Sequence, residues 1–540
     1  MKNFLLILAL GLVCVRPMAA DEKGMQHQHH EDLTEKQLGT VNFPVSCAVS
    51  VQKPFARGVA LLHSFWYDEA QKEFEQIAND DPQCAMAHWG IGMSLWHQLW
   101  NKPDAATVKR GVAEVQKAEA LHAKTQRERG YIEALGEFYR SPEPRDEDTQ
   151  DKAYSEEMEK VYEKYPDDHE AAAFYALSLL ASEPEHDTTF ANRKKAAAIL
   201  EKLFATEPDH PGVAHYLIHT YDKPQMAQLG LPAARRYAEI APAAPHALHM
   251  PSHIFARVGD WQDDIKSNLA SVAATQKATE MHMGGEGHQF HAMDFLVYAY
   301  LQCGREADAM AVIEEARKMP PVPDMYGMGF DPRLYALSKF PATYYMELNR
   351  WSDAAALQPV EGASDSDHAI TYWARAIGAA RSGNVAQAQK DVEAIDKIKA
   401  TLMAQNKKLF ARVVEDDRQE AQAWVLHAEG KNDEALAMLR KLADNEDASG
   451  EEPESVPARE FLADMLLDLK RPAQALKEYQ TDLKVNPKRF NGLYGAAQAA
   501  EQANQQAEAT EYYAQLVKVC AGGSSDRPEL VRARQLVAKD

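Results

Sequence analysis

Pro245-His246-Ala247-Leu248-His249-Met250-Pro251-Ser252-His253-Ile254-Phe255-Ala256-Arg257-Val258-Gly259-Asp260-Trp261 is the stretch on which the reading of this 540-residue chain turns. It closes as a helix hairpin closes, yet a proline interrupts it and three histidines fall on one side. Around it lie His210, His215, His219, His282, His288 and His291. Nine of the 20 histidines thus occupy about a seventh of the chain, where even usage predicts about three. Such clustering marks the region as the candidate working site.

Outward from this stretch the pattern is helical and repeating. Apolar residues recur at three- and four-residue spacings, and alternating β-branched runs are scarce. Between Phe55 and Pro82, small Gly58 precedes Leu61, and Ala70, Phe74 and Ile77 lead to the proline. The same order returns at Ala196, Leu200, Leu203 and Pro208, and at Ala233, Tyr237, Ile240 and Pro245. It returns again at Val297, Tyr300, Gly304, Ala309, Ile313, Ala316 and Pro321. Ala463, Leu466, Ala475, Tyr479 and Pro487 run directly into Ala497, Ala509, Tyr513 and Leu516.

This order resembles the tetratricopeptide repeat, with a small residue where paired helices meet, an aromatic on the second helix and a closing proline. Proline closes a helix because it has no N–H to continue it. About nine or ten units in series imply an all-α fold, an α-solenoid of tetratricopeptide-like hairpins. The expected organisation is a signal peptide over 1–20, a polar His-bearing segment over 21–54 and N-terminal repeats over 55–210. His-rich central repeats with inserted loops follow over 211–333, and C-terminal repeats over 334–530. The expected loops are 140–150, a glycine-rich stretch over 275–290, 320–333 with Met325-Tyr326-Gly327-Met328-Gly329, and the acidic run Asp444 to Glu454.

The resemblance gives the histidines a direction. With Gly259 as repeat position 15, His246, His249 and His253 take positions 2, 5 and 9. With Gly304 as position 15, His291 and Asp294 take positions 2 and 5. In the family these positions face the concave groove, which makes His246, His249, His253, His291 and Asp294 the expected ligand-binding set. His249 and His253 are i and i+4, as are His215 and His219, so each pair shares a helix face. His215, His219, His249, His253 and His291 are the candidate metal ligands, for zinc or copper. Cu(I) would also accept the thioethers of Met250, Met281, Met283 or Met293. Pro251 leaves two readings open. Either the helix is kinked there, or it starts there with His246 and His249 in the approach loop.

The runs Pro245–Trp261 and His291–Gln302 also resemble a group of exported bacterial tetratricopeptide proteins. That resemblance implies one shared site and names no reaction.

Composition bounds the function. With 45% hydrophobic and 26% charged residues the chain reads as folded. A net charge of −22 argues against nucleic acid, whose phosphates need a basic face. Lys2, the apolar run Phe4 to Val13 and Ala19-Ala20 read as a cleaved signal, too short to span a bilayer. No later window reads as a transmembrane helix, so the expected address is periplasmic or extracellular. Of the mature cysteines, Cys47 and Cys84 form the best candidate disulfide pair. Met25-Gln26-His27-Gln28-His29-His30 is either a metal-capturing tract or a polar leader.

Trp66, Trp89, Trp96 and Trp100 read as core, and His63, His88 and His97 beside them receive no role. Two functions follow as expectations. The first is an exported scaffold binding a protein, a peptide or a small ligand in its groove. The second is a zinc- or copper-binding protein built on the histidines, with a metal-dependent hydrolase as its catalytic form. Glu286, Asp222 and Asp294 are the carboxylates that could serve such a hydrolase as base.

Overall fold

The computed structural model describes residues 33–99, 103–140, 147–184, 187–322, 331–450 and 454–538. The signal segment, the Met25–His30 tract, Trp100 and the Met325–Gly329 loop lie outside the described residues. Every extended regular element among the described residues is a helix, and consecutive helices pack as antiparallel hairpins. The chain is an α-solenoid of tetratricopeptide-like hairpins.

The small-to-aromatic packing explains the repeat. Phe74 of helix Tyr67–Asp80 lies against Gly58 of its own hairpin and Gly90 of the next. A Cβ on Gly90 would sit 2.4 Å from that ring, far inside ordinary contact, so only glycine lets the hairpins close. Gly495 stands in the same relation to Tyr479. Gly259 and Gly304 turn the chain between paired helices at φ +66° and +64°, the left-handed region that glycine enters freely. Pro82, Pro208 and Pro487 follow the ends of Tyr67–Asp80, Ala191–Thr206 and Pro472–Val485, as expected. Pro245 differs: it opens the next helix, where its missing N–H costs nothing.

Six helices position the histidines: α1 (Gln52–His63), α2 (Pro211–Tyr221), α3 (Pro245–His249), α4 (Pro251–Arg257), α5 (Trp261–Glu280) and α6 (Glu286–Gln302). α5 runs further than the glycine-rich loop suggested, leaving only 281–285 as connection. The acidic run also departs from expectation, because helix Asn432–Ser449 includes its first half. There Arg459 binds Asp444 and Asp447 at 2.5 and 2.7 Å, which neutralises the run enough for it to stay helical.

Two further expectations meet a different structure. Residues 33–54 are not simply polar leader. Leu38 and Phe43 are buried, and Phe43 packs edge-on to Phe55 and Trp89. Cys47 and Cys84 are joined as a disulfide that ties this segment to the second hairpin. The apolar core also continues from Leu33 to Phe255 across the boundary at 210/211.

The solenoid folds back on its own centre. Trp66 Nε1 donates to the Gly284 carbonyl at 2.7 Å, and Gly284 N–H to Glu69 at 2.9 Å. From the other end, Trp261 Nε1 reaches the Lys488 carbonyl at 3.0 Å, and Lys223 Nζ reaches that of Ser449 at 2.6 Å. Buried Arg489 binds Glu347 and Glu460, each at 2.9 Å. N- and C-terminal repeats therefore both dock on the central hairpins. No helix of the described residues is long and apolar enough to cross a membrane.

Candidate metal centre

Three neighbouring first helices of hairpins carry the histidines. α2 bears His215 and His219 one turn apart. α3 bears His246 and His249, α4 bears His253, and α6 bears His288 and His291. Met250, between α3 and α4, keeps helical torsions of φ −51° and ψ −35°. The stretch is thus a kinked helix, with His246 and His249 inside it, and not a loop followed by a helix start. Pro251 withholds one backbone hydrogen bond and bends the path.

The kink sorts the rings into two groups. His215, His219 and His246 bring one nitrogen each within 4.8 Å of the others, and so do His249, His253 and His291. In the first group His215 Nε2 lies 3.0 Å from His219 Nε2 and 3.2 Å from His246 Nε2. In the second, His249 Nε2 lies 3.0 Å from His253 Nε2, and the His291 ring centre is 4.4 Å from that of His249. Five histidines expected around one ion are therefore divided between two triads, and His246 joins the first. The triads adjoin, with ring centres of His246 and His249 6.0 Å apart and those of His219 and His253 6.4 Å apart.

Hydrogen bonds at the other ring nitrogen assign the tautomers. His215 Nδ1 faces the His63 carbonyl at 2.6 Å, which can only accept, so Nδ1 carries the proton. Asn268 directs its NH2 at Asp264 Oδ1 and the Asp264 carbonyl, at 2.8 and 3.1 Å. Its Oδ1 therefore faces His249 Nδ1, at 2.6 Å, and accepts from it. His253 Nδ1 donates to Asp222 at 2.9 Å, and Arg257 binds the other oxygen of that carboxylate at 2.8 Å. In neutral His215 and His249 the Nε2 atoms thus present lone pairs. The Nε2 atoms of His249 and His253 stand 3.0 Å apart, with both Nδ1 atoms bonded elsewhere. Ligands about 2.0–2.1 Å from a shared ion stand roughly 3 Å apart, so the spacing is that of a coordination edge. Outer hydrogen bonds of this kind orient metal-binding imidazoles and raise their basicity.

Burial disfavours the charged form of six of the rings. It pushes His215 and His291 down to about 3 and His288 to about 4. His219, His246 and His249 are also driven well below the ordinary value, by burial first and by neighbouring histidines next. Burial alone would raise Asp222, but Arg257 and His253 hold it ionised. Burial drives the Asp264 carboxyl well above its ordinary range, so it stays protonated. Phe65 packs 4.3 Å from His215 and stacks on His246 at 5.6 Å, while Phe295 lies 4.9 and 4.8 Å from His249 and His253. Each triad thus has an aromatic wall. His219 and His291 stand half-buried at the chamber's edge.

Two other groupings of potential ligands behave differently. Cys47 and Cys84, near Asp81, are consumed by their disulfide. His63, Glu170 and His210 form a buried triad whose protons are all accounted for. His210 Nδ1 accepts from Val213 N–H at 3.2 Å, so its Nε2 donates to Glu170 at 3.1 Å. His63 Nε2 donates to the second carboxylate oxygen, and its Nδ1 accepts from the Tyr216 hydroxyl, both at 2.8 Å. Donors meet acceptors throughout, and no lone pairs confront each other. This network supports the site indirectly, since the His63 carbonyl holds His215.

Asp294 does not join the histidines. Its carboxylate faces Tyr335 at 3.4 Å and Lys339 at 3.6 Å, because its place on α6 turns it toward helix Pro332–Glu347. Of the possible bases, Asp222 is engaged by His253 and Arg257, and Glu286 lies near Asp68 and Glu69. The sequence reading did not reach Asn268, Phe65, Phe295 or the roles of His63 and Arg257. Asn268 lies 19 residues from its histidine and the His63 carbonyl 152 from His215, distances at which no local spacing speaks.

No family model matches the chain, and no curated protein matches it. Among solved structures it is similar to human IFIT1 bound to m7Gppp-AAAA, at 13% identity and a TM-score of 0.38, covering 81% of this chain and 90% of that one. Yeast Tom70 gives 11% identity and a TM-score of 0.34, with 91% and 95% covered. The TPR domain of P58(IPK) gives 12% and 0.20, with 91% and 99% covered. The likeness is one of stacked helices alone.

Proposed function

We propose that this chain is an exported metal-binding helical-repeat protein, with a zinc or copper ion held by His249, His253 and His291. The convergence of His249, His253 and His291, with one ring nitrogen each within 4.8 Å of the others and the Nδ1 atoms of His249 and His253 bonded elsewhere, carries this reading. A cation bound there would join the Nε2 atoms of His249 and His253, 3.0 Å apart. Imidazole-only donors suit zinc and copper. The Cys47–Cys84 disulfide supports an oxidising compartment and hence export. The peptide-groove alternative gains no support at these histidines, since Phe65 lies among them. For hydrolysis, the expected bases Asp222 and Asp294 are engaged by His253 and Arg257 and by Lys339.

The test is elemental analysis of tag-free protein dialysed against Zn(II) and, separately, Cu(II). Tight, stoichiometric retention is expected, and H249Q/H253Q should abolish it at this triad while helical circular dichroism is unchanged. Retention of neither metal sinks the reading.

A further inference from the structure

Resting on that reading, the geometry points to more than a single ion: the His215/His219/His246 triad is a second copper site, and the two triads hold a pair of cuprous ions in one chamber.

His215 Nε2 is a lone pair, because its Nδ1 proton is committed to the His63 carbonyl. That lone pair faces ring nitrogens of both His219 and His246 at 3.0 and 3.2 Å. The three nitrogens converge within 4.8 Å of one another, close enough to share one cation. The His63, Glu170 and His210 network close by shows what protein-only satisfaction looks like.

Proximity follows from the shared kinked helix. His246 and His249 belong to different triads, with ring centres 6.0 Å apart, and His219 and His253 meet at 6.4 Å. Ions seated about 2 Å from these nitrogens stand within a few ångströms of each other, a separation that a small ligand can bridge.

Charge then selects the ion. All six ligands are imidazoles, with no carboxylate or thiolate among them. Asp222, bonded to His253, is already paired with Arg257 at 2.8 Å. Two divalent ions would bring four buried positive charges with nothing in the first coordination sphere to offset them, and taking charge out of water is unfavourable. Two cuprous ions halve that charge. Three imidazoles also satisfy Cu(I), whereas a structural Zn(II) site calls for a fourth ligand. Phe65 and Phe295 pack against the rings of the two triads.

The test loads the full chain anaerobically with Cu(I), removes free copper by gel filtration and counts copper per chain. The pair requires two in the unaltered protein, and one each in H215Q/H246Q and H249Q/H253Q, with circular dichroism and melting confirming that both variants fold. One copper in the unaltered protein, lost only in H249Q/H253Q, overturns the pair and leaves the single-ion reading standing. No copper overturns both. Two coppers that persist in H215Q/H246Q place the second ion elsewhere and also overturn the pair. A second measurement tests closeness. Ferricyanide removes one electron from each Cu(I), and electron paramagnetic resonance should then show a coupled signal well below two full spins, or a half-field transition. Two independent full-intensity Cu(II) signals would refute the shared chamber.

Discussion

At the residue scale the site depends on which ring nitrogen carries the proton. Asp222 sets this for His253, Asn268 for His249 and a backbone carbonyl for His215. Outer partners of metal-binding histidines typically contribute 10–100-fold in affinity. Asp222→Asn keeps the shape and removes the charge, so it should weaken metal retention by about 10- to 100-fold, read by chelator competition. An unchanged affinity would mean that His253 is not a ligand. The depressed histidines also predict a pH response of the metal-free protein. Unfolded, each histidine titrates near 6.5; folded, His215 and His291 titrate at about 3. Between these values the unfolded state binds the extra protons. Stability is therefore whole above pH 6.5 and falls as pH drops, by up to about 1.4 kcal/mol per pH unit for each such histidine. Melting of metal-stripped protein from pH 7.5 to 4 checks this. A flat profile would show that the rings are already protonated or exposed.

At the element scale the kink at Pro251 does the sorting. A straight helix would carry His246, His249 and His253 along one stripe, as their i, i+3 and i+7 spacing states. The bend sends His246 to one triad and the other two to the next. Pro251→Ala restores a backbone donor and permits a straighter helix. The expected outcome is a metal affinity lowered at least several-fold with a melting temperature lowered little or not at all, measured by competition titration and calorimetry on the same preparation. Loss of stability with intact metal binding would assign Pro251 to packing alone. Phe65 belongs to this scale too. It occupies the turn after α1 at φ +53°, where a bulky side chain is rare, and the turn delivers its ring among the histidines.

At the scale of the whole molecule the solenoid is closed by contacts between remote repeats. Arg489 is the principal clasp, binding Glu347 and Glu460 and stacking with Tyr298 in the interior. Removing one partner of a buried ion pair costs up to about 3–5 kcal/mol, and burial, which pushes Glu347 up to about 7 and Glu460 well above its ordinary range, brings the cost below that ceiling. Arg489→Met should therefore lower unfolding free energy by about 1–3 kcal/mol, seen in urea denaturation. A change under about 1 kcal/mol would show that the two carboxyls are protonated and need no cation.

The sequence by itself determined the repeat, because its cause is local. Small residues face aromatics at repeat spacing, as Gly58 and Gly90 face Phe74 and Gly495 faces Tyr479, and glycine turns the chain after several of the helices. It also determined which helices bear the histidines, since i, i+4 spacing is a property of one helix. Tertiary structure decided the rest. The division into two triads, the proton positions and the aromatic wall depend on partners far away in the chain: the carbonyl of His63 for His215, Asn268 across a hairpin for His249, and Phe65 from the first repeat. Asp294 shows the limit from the other side, for its repeat position suggested the histidines while a lysine on the next hairpin claimed its carboxylate. Helical periodicity fixes the face a residue occupies; only the packing of distant helices fixes what that face meets.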